Sequence, residues 1–188
     1  MIKEIVVKSI LNKHKKRDDW FLDDYSINPY SGCSFNCIYC YIRGSKYGEN
    51  MREAVSVKIN AVEVLEKQIS RRAKKSEYGI IALSSSTEPY MRIEEKYRLT
   101  RKILEVILKY RFPVEIATKS TLVLRDLDLL KEIDRKGILP EDLKDKLNHK
   151  AIISFSISTL DEKLSKILEP AAPSPIKRLE TLKKCKEE

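Results

Sequence analysis

The chain repeats one structural unit, in which a short apolar run is followed by a polar turn and then by a segment with the apolar spacing of an amphipathic helix. The segments GIIAL at 79–83 and AIISFSI at 151–157 are near-continuous apolar runs. Such runs are typical of strands that are covered on both faces in a parallel sheet. The alternation therefore predicts an α/β fold, with helices packed outside a parallel sheet.

Local signals give approximate bounds for these elements. The predicted strands cover residues 25–30, 55–59, 79–83, 113–117 and 151–157. The predicted helices cover residues 61–75, 94–110, a stretch opened by Asp126, 160–168 and 175–188. Asn60 is expected to cap the first helix, and Ser174 before Pro175 is expected to begin the last one. Thr159 and Glu162 form a capping-box pattern for the helix at 160–168.

Polar motifs lie where the predicted strands end. A cysteine-containing loop follows the first strand, and the motifs SSSTEP, TKS and SIST lie at the ends of three later strands. In folds built from parallel βα units, functional groups lie at the carboxyl ends of the strands. The sequence therefore predicts that these four motifs converge on one site.

The cysteine loop, GCSFNCIYCY, holds three cysteines within eight residues: Cys33, Cys37 and Cys40. Three thiolates at this spacing can hold three corners of one [4Fe–4S] cluster, which takes four ligands. The remaining cysteine, Cys185, lies far away in a lysine-rich helix. An open position on a protein-bound metal is where a substrate or cofactor binds, so the pattern favours an enzyme.

Two other interpretations of the cysteines remain open. A zinc site needs a fourth Cys or His, but His14 lies nineteen residues upstream and His149 lies in a polar linker. A disulfide would suit a secreted protein, but no signal peptide opens the chain. Both patterns are disfavoured relative to an iron–sulfur cluster.

The motif CxxxCxxC, with the aromatic Tyr39 before the third cysteine, resembles the cluster loop of the radical S-adenosylmethionine (SAM) superfamily. The segments NPYSGCSFNCIYCYIR, SSSTEPY, ATKSTLVLRDLDLL, SFSIST and EPAAPSPIKRL resemble, in this order, its spore-photoproduct-lyase-like branch, also described as DNA repair photolyase-like. The resemblance runs from residue 8 to residue 182. It implies that the amino and carboxylate groups of SAM bind the open iron, and that reduction cleaves SAM to a 5′-deoxyadenosyl radical.

The resemblance also implies roles for residues outside the cysteine trio. Tyr39 is expected near the adenine of SAM, although core packing is an equal alternative for its ring. Thr87 and Glu88 occupy the place of a Gly-Gly-Glu-like stretch that binds the SAM amino group; the alternative is that Glu88 is a surface turn residue. Lys119 and Ser120 are expected near the ribose and carboxylate of SAM.

Three further candidates follow from the residues themselves. Ser156 and Ser158 share one face of the last predicted strand, where they suit a ligand hydroxyl or carboxylate. The alternative for each serine is a hydrogen bond to its own backbone. Arg178 could hold a carboxylate or phosphate bidentately, although it is one of 37 Lys and Arg residues.

The resemblance further implies a partial parallel (β/α) barrel of about six βα units, of which four are present here. We therefore expect a single radical SAM core domain over residues 1–188 that lacks the C-terminal third of the family fold. An unpaired edge on the last strand is a liability, so association through the open sheet edge is expected.

Composition constrains the surroundings and partners. No apolar run is long enough to span a bilayer, which indicates a cytoplasmic protein without a membrane partner. The net charge of +9 would suit nucleic acid, but the single glutamine among many Lys, Glu and Ile residues is equally a hyperthermophile pattern.

Two functions follow. The first is a radical SAM enzyme supplied by an external one-electron reductant of the ferredoxin or flavodoxin type, acting on a nucleic-acid base or DNA lesion. No cysteine lies between Cys40 and Cys185 to return a hydrogen atom to the product, so Tyr41 or a residue beyond Glu188 is expected to substitute. The second is a truncated, inert iron–sulfur or nucleic-acid-binding remnant.

Overall fold

The computed structural model describes residues 2–45 and 55–188, which form two sheets and six α-helices in those ranges. The strands are β1 (Ile2–Ile5), β2 (Asn12–Lys13), β3 (Asp23–Ile27), β4 (Tyr30–Ser31), β5 (Val55–Lys58), β6 (Ile80–Leu83), β7 (Val114–Thr118) and β8 (Ala151–Phe155). The helices are α1 (Ala61–Lys74), α2 (Glu94–Tyr97), α3 (Leu99–Lys109), α4 (Leu127–Lys136), α5 (Glu162–Leu168) and α6 (Pro175–Glu187).

The larger sheet has the strand order β2-β3-β6-β7-β8, and the four strands β3, β6, β7 and β8 are parallel. This confirms the predicted α/β fold with four parallel βα units. The outer face is apolar, since Ile81, Val114 and Ala151 lie in one register row and join the main core. The inner face carries small or polar residues instead, including Ala82 and Glu115, which lie side by side on β6 and β7.

The strand predicted at 55–59 is present as β5, but it does not belong to the larger sheet. It lies in a separate three-stranded sheet with the order β1-β5-β4, parallel to β1 and antiparallel to β4. The carboxamide of Asn60 joins the segments that follow β1 and β5, since it accepts from the Val7 amide and donates to the Val7 carbonyl, both at 2.9 Å. Asn60 therefore precedes α1 as predicted, but its side chain does not cap the helix.

The predicted helix at 94–110 is interrupted at Arg98, which adopts a left-handed conformation with φ of +49°. The cause lies one turn earlier. The buried Glu94 carboxylate accepts hydrogen bonds from the backbone amides of Thr100 (3.0 Å) and Arg101 (3.4 Å), so it caps a new helix. The prediction of one continuous helix is therefore wrong. The spacing of apolar residues is the same on both sides of Arg98, so it does not reveal that the Glu94 side chain begins a second helix.

Other helix boundaries differ by one or two residues. Asp161, not Thr159, caps α5, because its carboxylate accepts the backbone amide of Lys163 at 2.8 Å. Ser174 caps α6 as predicted. A 3-10 turn over Thr121–Asp126 precedes α4, and the Asp126 carboxylate binds arginine side chains rather than the helix amides.

Strand β8 is the edge of the larger sheet within the described residues, and all five of its residues are only half-buried. The expectation of an open edge on the last strand is therefore confirmed for this part of the chain. No helix in the residues that the structure describes is long and apolar enough to cross a membrane.

Candidate functional site

A cavity of 160 Å³ lies at the carboxyl ends of the parallel strands. All three clustered cysteines border it, together with the segments that follow β6, β7 and β8. The polar residues around it are Cys33, Cys37, Cys40, Tyr41, Ser84, Ser85, Ser86, Thr87, Glu88, Thr118, Lys119 and Ser156. The predicted convergence of the four strand-end motifs is thus what the structure shows.

The cysteine loop is shaped by backbone that most residues avoid. Gly32 has φ of +78°, in the left-handed region that glycine enters without steric cost, and Asn36 follows with φ of +54°. The Arg43 side chain fixes the loop by donating from Nε to the Cys37 carbonyl at 2.8 Å. The loop is also anchored to the C-terminal segment, because the Ile38 amide donates to the Leu168 carbonyl at 2.9 Å.

The cysteines are free thiols in a partly desolvated pocket. Burial raises the pKa of Cys33 to about 11 and also raises the pKa of Cys37, an effect that Lys119 opposes. A bound metal would have to displace these thiol protons, which makes its binding pH-dependent.

The donors at the cavity are three thiols, the ligand type that iron–sulfur clusters use. No group of three or more His, Cys, Asp or Glu side chains in residues 2–45 and 55–188 is disposed to hold one metal ion. Three thiols border one cavity and Cys185 is remote in α6, so the donors present fit a cluster that the protein holds at three corners.

Glu88 is the acidic residue that borders this cavity, and its carboxylate accepts several hydrogen bonds. It is only 6 % exposed, so the alternative of a surface turn residue is wrong. Its carboxylate accepts hydrogen bonds from Thr118 Oγ1 (2.5 Å) and from the backbone amides of Lys119 (2.9 Å) and Tyr90 (3.1 Å). Burial raises the pKa of Glu88, and these three hydrogen bonds oppose the rise. The carboxylate therefore joins the ends of β6 and β7 as well as bordering the cavity.

Glu169 is a site residue that sequence analysis missed. Its carboxylate oxygen lies 2.6 Å from Arg178 Nη2, and both side chains are fully buried. The two atoms form an ion pair, although they are not aligned as a hydrogen bond. Burial would raise the pKa of Glu169, but Arg178 and the Tyr39 hydroxyl, which donates to the carboxylate, bring it below its usual range.

Neither Arg178 nor Tyr39 is among the residues that border the cavity. The Arg178 guanidinium donates to the carbonyls of Pro173 (2.8 Å) and Ser156 (2.9 Å), so it holds the end of β8 in place. The Tyr39 ring is about half exposed and lies 5.9 Å from Lys119 Nζ. The carboxylate that Arg178 binds is the chain's own Glu169, not that of a ligand.

The remaining predicted residues divide between the cavity and local structure. The Ser120 hydroxyl accepts the Leu122 amide at 3.2 Å and caps the 3-10 turn, so it is used locally. Ser158 is exposed outside the cavity and bonds to Tyr39. Thr87 borders the cavity, and its buried hydroxyl has no hydrogen-bond partner in the described structure.

Ser84 was also missed by sequence analysis. It directly follows β6 and has φ of +69°, an unusual conformation for a residue with a Cβ, and its buried hydroxyl has no partner in the described structure. Strained backbone of this kind is concentrated at functional sites. The sequence pointed to this site through three consecutive serines, but it did not show which of the three has the strained backbone.

Comparison with known proteins gives the family context. The sequence profile described as "Radical SAM superfamily" matches residues 27–188. The protein MJ0683 of Methanocaldococcus jannaschii is 34% identical over 163 residues, which cover 85% of this chain and 54% of that protein. The chain spans about half the length of the curated relatives it matches.

Solved structures show the same fold. Spore photoproduct lyase complexed with dinucleoside spore photoproduct superposes with a TM-score of 0.69 at 18% identity, over 99% of this chain and 48% of that chain. A mutant of the lyase with bound AdoMet and dinucleoside spore photoproduct gives 0.68 at 17% identity, over 98% and 46% of the two chains. At this identity the likeness concerns the fold alone, which is the partial barrel predicted from the sequence.

Proposed function

Because the chain belongs to the radical SAM superfamily, we propose that Cys33, Cys37 and Cys40 bind a [4Fe–4S] cluster and that the chain reductively cleaves SAM. The observation that carries this proposal is that the three thiols and the ends of β6, β7 and β8 border one cavity. When bound, the cluster and SAM supply the chemistry of the family, a 5′-deoxyadenosyl radical that abstracts a hydrogen atom from the substrate. An external one-electron reductant of the ferredoxin or flavodoxin type is required.

The chain's own residues would orient SAM next to the cysteines. In the described structure the buried Thr87 hydroxyl has no hydrogen-bond partner, and Lys119, which also lies 3.8 Å from Glu169, offers a cation for the SAM carboxylate. Glu88 has already accepted three hydrogen bonds, and a carboxylate has about four acceptor positions, so one direction remains for the SAM amino group. Ser156 borders the same cavity and is held by Arg178 through its carbonyl.

We further propose a nucleic-acid substrate, with a base as the group that reacts. The support is the net charge of +9 and the fold shared with a lyase that was solved with a dinucleoside photoproduct. For the return of a hydrogen atom, Tyr41 is the candidate, because its side chain borders the cavity and no cysteine other than the three ligands does. Its hydroxyl donates to the Ser85 carbonyl.

Anaerobic purification and metal analysis test the cluster. We expect brown protein with about four irons and four sulfides per chain. Alanine at any one of Cys33, Cys37 or Cys40 should abolish the colour, whereas Cys185→Ala, the matched control, should retain it. Colourless protein that carries one zinc per chain would contradict the proposal.

The open iron is tested by electron paramagnetic resonance. Adding SAM to the dithionite-reduced protein should change the spectrum, because a ligand on one iron alters the electronic structure of the cluster. An unchanged spectrum at saturating SAM would mean that the fourth position is not available to it.

A further inference from the structure

A second cavity, of 700 Å³, adjoins the first on the inner face of the larger sheet. The two cavities share five lining residues, among them Tyr41, Ser84 and Ser156, so a molecule in the second would lie next to the cysteine site. Ala82 and Ala117 are small residues on its floor, which leaves the inner face of the sheet open instead of filled. A cavity of this size can hold a small organic ligand.

Glu115 is the unusual residue of this cavity. It lies within strand β7, lines the cavity and is only 4 % exposed, yet its Oε1 atom has no hydrogen-bond partner in the described structure. Ser154, on the neighbouring strand β8, bonds to the same carboxyl. An unpartnered buried carboxyl oxygen costs free energy, and such a group in a native fold calls for an explanation. A ligand that donates a hydrogen bond to Oε1 would provide one.

A second buried carboxyl lies in the same cavity. Asp23 is 4 % exposed, and its Oδ2 atom lies 3.1 Å from Nδ1 of His14. The two carboxyl groups are near enough for the charge of Asp23 to act on Glu115. The floor therefore accepts hydrogen bonds and repels anions, so a phosphate group is excluded from this end of the cavity.

The rim of the cavity suits a flat ring. Phe21 and Tyr41 line it with exposed aromatic side chains, 44% and 76% exposed. Its two basic side chains are engaged in ion pairs, since Lys16 pairs with Asp19 at 2.9 Å and Arg17 pairs with Asp24 at 3.1 Å and with Asp142. A planar group that stacks on aromatic side chains and presents N–H donors at its edge matches both the rim and the floor, and nucleobases have these properties.

We propose that Glu115 is a specificity-determining residue, whose carboxyl accepts a hydrogen bond from an N–H donor of the substrate base. The proposal rests on the nucleic-acid substrate proposed above. It adds that the Glu115 carboxyl on β7 recognises an N–H group of the base, so a base that lacks this N–H group should bind more weakly.

The test uses a base with a single N–H donor. The thymine ring donates only from N3, and a methyl group at N3 removes this donor. Fluorescence anisotropy compares the binding of (dT)8 and its N3-methylated counterpart to the reconstituted chain, without reductant. Wild type should bind (dT)8 about tenfold more tightly, as expected for one hydrogen bond to a charged group.

Variants separate the hydrogen bond from a steric effect. Glu115→Leu keeps the bulk of the side chain but removes the acceptor, so it should bind both oligonucleotides with equal affinity. Glu63→Leu, at an exposed residue of α1, is the matched control and should retain the tenfold ratio. If Glu115→Leu does not fold, Glu115→Gln replaces it and should lower the ratio, because a neutral amide accepts more weakly than a carboxylate.

Several results would overturn the inference: equal or absent binding of both oligonucleotides by wild type, or an unchanged ratio in the Glu115 variant that folds. These failures are separate from failure of the proposed SAM chemistry, which is measured without any oligonucleotide. A chain that cleaves SAM but does not discriminate loses only the role of Glu115. A chain that discriminates but does not cleave SAM loses only the proposed SAM chemistry.

Discussion

Replacement of Glu88 by alanine should destabilise the fold as well as the site. The substitution removes one acceptor and leaves three donors without it: Thr118 Oγ1 and the amides of Lys119 and Tyr90. Each hydrogen bond to a charged group contributes roughly 1.5–3 kcal/mol. Two effects offset part of this loss, because the desolvated carboxylate itself is removed and water can enter from the adjoining cavity.

We therefore expect the free energy of unfolding of Glu88→Ala to fall by about 2–4 kcal/mol. For a chain of this length, the melting temperature should fall by roughly 5–15 °C. Urea unfolding of the apo protein, followed by circular dichroism, measures the change without involving the cluster. Glu63→Ala, at an exposed position of α1, should stay within about 0.5 kcal/mol of wild type. A loss below about 1 kcal/mol in Glu88→Ala would refute the idea that this carboxylate joins β6 to β7.

Three further predictions concern stability and assembly. Burial raises the pKa of Glu115 above its unfolded value, so the folded state holds the proton more tightly and stability falls as pH rises through that interval. Glu115→Gln should consequently unfold at higher urea than wild type at pH 7, and the gain should vanish below about pH 4; an equal gain at both pH values would be contrary to this reasoning. Arg178→Ala removes the nearer cation from the buried Glu169 carboxylate, which keeps the Tyr39 hydroxyl and Lys119 at 3.8 Å, and should cost about 3–5 kcal/mol in the same unfolding assay, whereas a neutral outcome would exclude a structural ion pair. A polypeptide of residues 1–188 should self-associate through β8, so its sedimentation mass should rise with concentration; a monomer at all concentrations would contradict this.

The sequence was sufficient to predict the parallel sheet and the location of the site. The apolar run that became β6 marks a buried strand, and the run that became β8 marks a strand that is half-buried at the sheet edge. A polar motif that follows a strand of a parallel sheet lies at the carboxyl end of that sheet. The three cysteines and Glu88 were therefore correctly placed around one cavity. These inferences depend on local pattern and on the topology of βα units, both of which are readable along the chain.

Features that depend on contacts between distant segments were not predictable in this way. Glu169 acquires its role because the turn before α6 folds back onto the cysteine loop, where its carboxylate meets Tyr39 across 130 sequence positions. Likewise, β5 belongs to the small sheet because it pairs with β1 and not with the main sheet. No local signal in the EPAAPSP segment distinguishes a buried carboxylate from an exposed one.

The second cavity was also not predicted, for a related reason. Glu115 lies in the middle of an apolar run, where a charged residue most often marks an exposed position of a strand. The register of β6, β7 and β8 instead places it inward among small residues. The buried and unpartnered state of its Oε1 atom follows from that register, which is a property of the assembled sheet.

Quantification of 5′-deoxyadenosine tests the central claim most directly. The chain is reconstituted anaerobically with iron and sulfide, reduced with dithionite and supplied with SAM. We predict 5′-deoxyadenosine in excess of one equivalent per chain, and none from Cys37→Ala. A fully loaded, reducible cluster that yields no 5′-deoxyadenosine would contradict the account and would favour an inert iron–sulfur protein.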